Sequence, residues 1–194
     1  MTEKTEKAEK GALIVVSAPS GCGKSTILRL LMERRENLRF SVSATTRAPR
    51  PGERDGVDYF FVSRAEFRQM ILNDAFLEYA QYVDNFYGTP RAAVEAQLAR
   101  SRDVYLDIEV QGAMQVKRNR PETLLIFVMP PSMEELERRL TGRGDVDPEI
   151  VRRRLAEAEN EISMRDKFDY VVVNDTIERA ASEISSLIDR KSVV

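Results

Sequence analysis

Ala18-Pro19-Ser20-Gly21-Cys22-Gly23-Lys24-Ser25-Thr26 decides how this chain of 194 residues is read. It follows Leu13-Ile14-Val15-Val16, an apolar run rich in β-branched residues that predicts a strand covered on both faces. A helix from Gly23 to about Arg35 is expected after it. A strand, a glycine loop, Lys-Ser and a helix in that order make a phosphate-binding P-loop. Its glycines let backbone N–H groups curl around a polyphosphate, Lys24 reaches the outer phosphates and the Ser25 hydroxyl ligates Mg²⁺. The positive end of the helix dipole acts on the same anion. One position departs from the pattern G-x-x-x-x-G-K-[ST]: Ala18 stands at the first glycine, which a negative φ there would accommodate.

Composition narrows the chemistry around that loop. The length suits one compact domain that buries about 70% of its unfolded surface. With 30 basic and 32 acidic residues the net charge is −2, so no global field points to nucleic acid or an anionic membrane, and any anion site is local. No apolar run approaches the ~20 residues of a membrane span. The Glu/Lys-rich stretch 1–10 has no apolar region of a secretory signal and reads as a flexible tail. A single cysteine, Cys22, forms no internal disulfide and suits a reducing, cytoplasmic compartment, although its place in the loop raises the question of oxidation. The absence of histidine removes imidazole-dependent triads and metal sites.

Along the chain, strands are expected over Arg39–Ala44, Tyr59–Val62, Phe76–Val83, Val104–Glu109, Thr123–Met129 and Tyr170–Val173. Ser63/Glu66 and Ser132/Glu135 read as capping boxes, and Thr89-Pro90 as the N-cap and first turn of a helix reaching about Ala99. Pro148 starts a long charged helix to about Met164, and Ile177 another to about Asp189. Buried strands alternating with helices predict a three-layer α/β/α fold with a parallel central sheet and ligands at the carboxyl ends of its strands. The β-rich stretch after Ser41 and the arginine-rich stretch 142–154 fit that plan poorly and read as insertions over the phosphate site.

Within the first insertion, Arg47 and Arg50 stand three apart in a proline-stiffened segment, a geometry suited to one phosphate. Tyr59 follows in Gly56-Val57-Asp58-Tyr59, and Tyr87-Gly88-Thr89 adds a phenol and a hydroxyl. The combined run of P-loop, Ser-Val-Ser-x-Thr-Thr-Arg-x-Pro-Arg-x-Gly-Glu-x-x-Gly-x-Asp-Tyr, Tyr-Gly-Thr, Leu-Asp-Ile-Glu-Val-Gln-Gly and Gly-Arg-Gly closely resembles the guanylate kinases, ATP:GMP phosphotransferases of the P-loop class. The resemblance extends from about Gly11 to Asp175 in order and spacing.

It implies a core of 11–40, 97–141 and 165–194, a mixed α+β GMP-binding insertion over 41–96 and a short helical lid over 142–164. It implies that Ala18 to Thr26 and Asn174 bind ATP, with Asn174 near adenine. Arg47, Arg50, Tyr59 and Tyr87 would hold the GMP phosphate, and Ser43, Glu78 and Thr89 would contact guanine. Asp107 and Glu109 would orient the acceptor, and Ser25, with Asp107 through water, would hold Mg²⁺. Lys24, Arg47, Arg139, Arg143 and Arg154 would carry catalysis, with Gly142 and Gly144 as lid hinges. Glu78 makes chemical sense, because guanine presents N1–H and N2–H₂ donors on one edge and a carboxylate accepts both. The implied substrates are ATP and GMP or dGMP in purine metabolism and GMP recycling, with a homo-oligomer left open. Three alternatives stand beside this: a kinase of similar fold for another phosphate ester, a non-catalytic guanylate-kinase-like module, and a P-loop GTPase, disfavoured by the lack of an Asn-Lys-x-Asp sequence.

Overall fold

Burial on both faces is what the apolar runs demand, and helices packed on a parallel sheet supply it. The computed structural model describes residues 11–142 and 147–192. Its elements run β1 (Leu13–Ser17), α1 (Lys24–Arg34), β2 (Leu38–Phe40), β3 (Ala44–Thr45), β4 (Phe60–Phe61), α2 (Arg64–Leu72), β5 (Phe76–Tyr82), β6 (Asn85–Pro90), α3 (Arg91–Leu98), β7 (Asp103–Asp107), α4 (Val110–Asn119), β8 (Leu124–Met129), α5 (Met133–Thr141), α6 (Pro148–Ser163), β9 (Tyr170–Val173) and α7 (Ile177–Ser192). The central sheet is parallel with the order β2-β7-β1-β8-β9. Alternate side chains serve opposite layers. Ile14, Val16, Ile126 and Val128 pack under α1 and α7, while Leu13, Val15, Leu125 and Phe127 pack under α3 and α4. This is the P-loop NTPase fold, and it brings the carboxyl ends of β1, β7 and β9 to one edge.

A second sheet, of order β4-β3-β6-β5, has its own small core in which Phe67 stacks between Phe76 and Phe86, with ring centroids 4.5 and 5.5 Å away. Its edge strand β5 lies against α4 of the main body. The Gln115 side chain accepts from the Tyr79 N–H at 3.2 Å and donates to the Tyr79 carbonyl at 3.0 Å, and Asn119 donates to the Leu77 carbonyl at 2.8 Å. Amide side chains thus satisfy the backbone groups that an open strand edge would expose. A third cluster joins Cys22 to Leu136, Leu140, Val151 and Ala158, seating α5 and α6 on the phosphate loop. Among the described residues no helix is long and apolar enough to cross a membrane.

Several local expectations are corrected. The single strand expected over Arg39–Ala44 is two strands in different sheets, because the chain leaves the central sheet after Phe40 and enters the second at Ala44. The helix expected after Thr89 follows as α3, but Pro90 and not Thr89 stands at its N-cap, with no side-chain cap. Both residues end β6, and the Thr89 hydroxyl goes to Glu78 instead. Glu109 lies beyond the strand, at the N-cap of α4, a helix not anticipated from the sequence. Asp107 is exposed at the strand's end. The Ser63/Glu66 box forms in both directions. Ser132 accepts from the Glu135 N–H at 3.2 Å, but the Glu135 carboxylate turns to Arg138 and Arg139 instead of closing that box.

Candidate active site

The phosphate loop takes its shape from two left-handed glycines, Gly21 (φ +90°) and Gly23 (φ +82°). A Cβ on Gly23 would lie 2.6 Å from Asn174 Nδ2. Ala18 is not among the residues of positive φ, which is why alanine is accepted there. Gly23 caps α1 without any side-chain hydrogen bond, so no side chain competes with an anion at that helix start. Lys24 Nζ is 2.6 Å from Asp107 Oδ1. The two side chains are 20% and 30% exposed, so the pair adds little stability and serves instead to aim the lysine across the strand ends.

Lys24, Ser43, Tyr59, Glu78, Tyr87, Asp107 and Glu109 line one cleft of about 490 Å³. Seven of the residues expected from the sequence thereby meet in one place. Glu78 forms its floor: it is buried, and its Oε1 accepts from the Thr89 hydroxyl at 2.6 Å. Burial raises the Glu78 carboxyl above the usual carboxylate range, while the Thr89 hydrogen bonds pull it back. Burial also raises the Tyr59 phenol, which therefore remains a hydrogen-bond donor at neutral pH.

Arg47 stands beside these phenols, its guanidinium 5.4 Å from the Tyr59 ring centroid. It is held by a residue to which the sequence reading assigned no role. Glu53 takes Arg47 Nη1 and Nη2 in a bidentate pair at 3.0 and 2.9 Å, and also accepts the Arg50 N–H at 2.7 Å. One carboxylate therefore fixes both arginine positions, and the Arg47 hydrogen bond, followed by that of Arg50, keeps it below the usual carboxyl range. The Arg50 side chain itself is exposed and does not line the cleft.

On the lid side, Arg139 donates to Glu135 at 2.8 Å and to the Asn174 carbonyl at 3.1 Å. Arg154 lies partly exposed on α6, and Arg143 and Gly144 fall outside the described residues. Arg152 and Arg153 pair with Glu149 and Glu157 on the surface. Asn174 is buried, with Nδ2 donating to the Cys22 carbonyl at 2.6 Å and Oδ1 buried without a partner. That hydrogen bond braces the loop. Desolvation pushes the Cys22 thiol up to about 12, so the loop cysteine is an inert packing residue at neutral pH. Glu161, on α6, also went unnoticed in the sequence: burial and the charge of Glu109 push it up to about 7, against the opposing pull of Lys24. A long charged helix offered no signal to single it out.

A phosphate loop on a parallel sheet, beside a cleft lined by Lys24, tyrosines and carboxylates, marks a P-loop nucleotide-binding protein with a second pocket next to the loop. Comparison with known proteins narrows the class. Residues 10–191 match the family model described as guanylate kinase. The guanylate kinase of Oceanobacillus iheyensis is 52% identical over 180 residues, covering 93% of this chain and 87% of that protein. That of Thermus thermophilus is 52% identical over 182 residues, covering 94% and 81%. Among solved structures, the guanylate kinase from Anaplasma phagocytophilum superposes with a TM-score of 0.75 at 38% identity, covering 96% of this chain and 88% of that one. The chain belongs to the guanylate kinase family.

Proposed function

We propose that this enzyme transfers the γ-phosphate of ATP to GMP, and to dGMP, giving ADP and the nucleoside diphosphate. The observation that carries the reading is the shared cleft, in which Lys24 of the phosphate loop faces a floor formed by Glu78. We also propose that 41–96 is the acceptor-binding insertion, 142–164 the lid and the remainder from 11 onward the core, and that the enzyme works in the cytoplasm.

The acceptor needs no general base. A phosphate monoester has a second pKa of about 6 and is mostly a dianion at neutral pH, already a nucleophile. The protein has to bring two anions into line and neutralise charge on the group in flight. Arg47, held by Glu53, and the Tyr59 and Tyr87 phenols bind the acceptor phosphate, with Arg50 adding charge at the rim. The buried Glu78 carboxylate accepts guanine N1–H and N2–H₂, and Ser43 and Glu109 complete the base pocket. Adenine has an unprotonated N1 on that edge, which would face the carboxylate repulsively. Lys24 and the start of α1 hold the donor phosphates, and Arg139, Arg143 and Arg154 add charge from the lid.

Magnesium fits this set of donors. Among the described residues no cluster of three carboxylate, thiol or imidazole groups forms a protein cage. Ser25 in the loop and, through water, Asp107 at the end of β7 instead offer hard oxygens, suited to an ion that keeps water and phosphate as its other ligands. Bound there, Mg²⁺ would neutralise charge on the donor phosphates. The test is ADP release from ATP and Mg²⁺ with no acceptor, with GMP or dGMP, and with sugar phosphates. Release is expected only with the guanine nucleotides, and equal release without acceptor would contradict the reading.

A further inference from the structure

We propose that Gly112 is a specificity-determining residue, which seats the base-reading carboxylate by having no side chain; this rests on the function proposed above. Glycine is among the poorest helix formers, yet Gly112 lies inside α4. Its backbone does not require glycine, since it is not among the residues of positive φ. The explanation lies in what a Cβ would meet. Built at Gly112, it would stand 2.9 Å from Glu78 Oε2 and 3.4 Å from Glu78 Cδ. The first separation is shorter than a carbon–oxygen contact tolerates, so the carboxylate has to move.

It has little freedom to do so. Its other oxygen is tied to the Thr89 hydroxyl at 2.6 Å, and Thr89 is itself buried. The strand that carries Glu78 is hooked to α4 on either side of it, by Asn119 at Leu77 and by Gln115 at Tyr79. Added volume at Gly112 therefore turns the carboxylate about Oε1 instead of displacing the strand. A carboxylate turned in this way no longer meets two parallel donors on one base edge. Loss is greatest for a base that uses both donors, and smaller for hypoxanthine, which keeps N1–H and lacks the exocyclic amine. A residue with a purely packing role would affect both bases alike.

The experiment compares kcat/KM for GMP and for IMP in the wild-type enzyme and in Gly112→Ala, with thermal unfolding of each. The GMP-over-IMP preference is expected to fall about tenfold, the worth of one hydrogen bond to a charged group. KM for ATP should stay unchanged, and thermal unfolding reports separately what the added volume costs against the gain in helix propensity. Gln115→Ala, which unhooks β5 without adding volume, should lower the same preference. If the wild type prefers GMP and the preference is unchanged in whichever of these variants folds, the role of Gly112 is overturned. A wild type indifferent to GMP overturns the proposed function as well.

Discussion

The two halves of the cleft are built differently. The proposed donor side is a single stretch, Ala18 to Thr26, shaped by its own glycines and by the helix it opens, with Asn174 and Asp107 as its outside supports. The proposed acceptor side is collected from separate elements: Tyr59 and the Arg47–Glu53 pair beside it from a loop, Glu78 from β5, Tyr87 and the Thr89 that holds Glu78 from β6, and Gly112 from α4. A loop shaped by its neighbours in sequence can be read and perturbed one residue at a time. A pocket assembled across a seam depends on contacts that no local pattern records, so its mutations should spread between binding, specificity and pH response.

The largest effect should separate the halves cleanly. Lys24→Ala is expected to lower kcat by about 10³-fold, since it removes charge from the transferring phosphoryl group. GMP affinity measured by calorimetry should stay within error, and its loss would mean that the halves are not separable. Arg47→Met should lower kcat/KM for GMP about a hundredfold by removing one partner of a charge pair, with KM for ATP unmoved. Glu53→Gln should cost about tenfold on the same parameter, because it loosens Arg47 without removing it. A Glu53 variant as active as the wild type would show that Arg47 needs no support.

Two smaller effects probe buried charge. Glu78 must be ionised to accept both guanine donors, and burial has raised it, so KM for GMP should climb on acidification sooner than an ordinary carboxylate would allow. Thr89→Val removes the hydrogen bond that opposes this rise, and its KM profile should be shifted to higher pH. Superimposable profiles would contradict the link between the two residues. For Glu161 the folded value of about 7 lies above its ordinary 4.5, so folding takes up a proton between them. Its contribution to stability is present in full below the lower value and is lost as pH rises through the upper one. Glu161→Gln should therefore flatten the fall in melting temperature between about pH 4.5 and 7.

The same contrast explains what could be read from sequence. Buried strands such as Leu13–Val16 and Leu124–Met129 announce themselves by composition, and the phosphate loop by spacing, so the central sheet and the loop were legible. Strand β6 carries Gly88 and Pro90, which argue locally for a turn and a helix start; only pairing with β3 and β5 makes it a strand. Helix α4 shows a thin apolar stripe of Val110, Ala113 and Val116, interrupted by a glycine whose reason lies in Glu78, distant in sequence. Glu53 stood inside a quoted motif, but its role depends on the turn that brings its carboxylate back onto Arg47.

Discrimination between GMP and AMP as acceptors probes the acceptor half where it matters most. With ATP and Mg²⁺ saturating, kcat/KM should favour GMP by about 10⁴, the scale at which a site built to satisfy hydrogen-bond donors rejects an analogue lacking them. Glu78→Gln should collapse most of that preference while ATP binding stays intact. Comparable rates with AMP and GMP in the wild type, or an undiminished preference in Glu78→Gln, would contradict the assignment of the cleft.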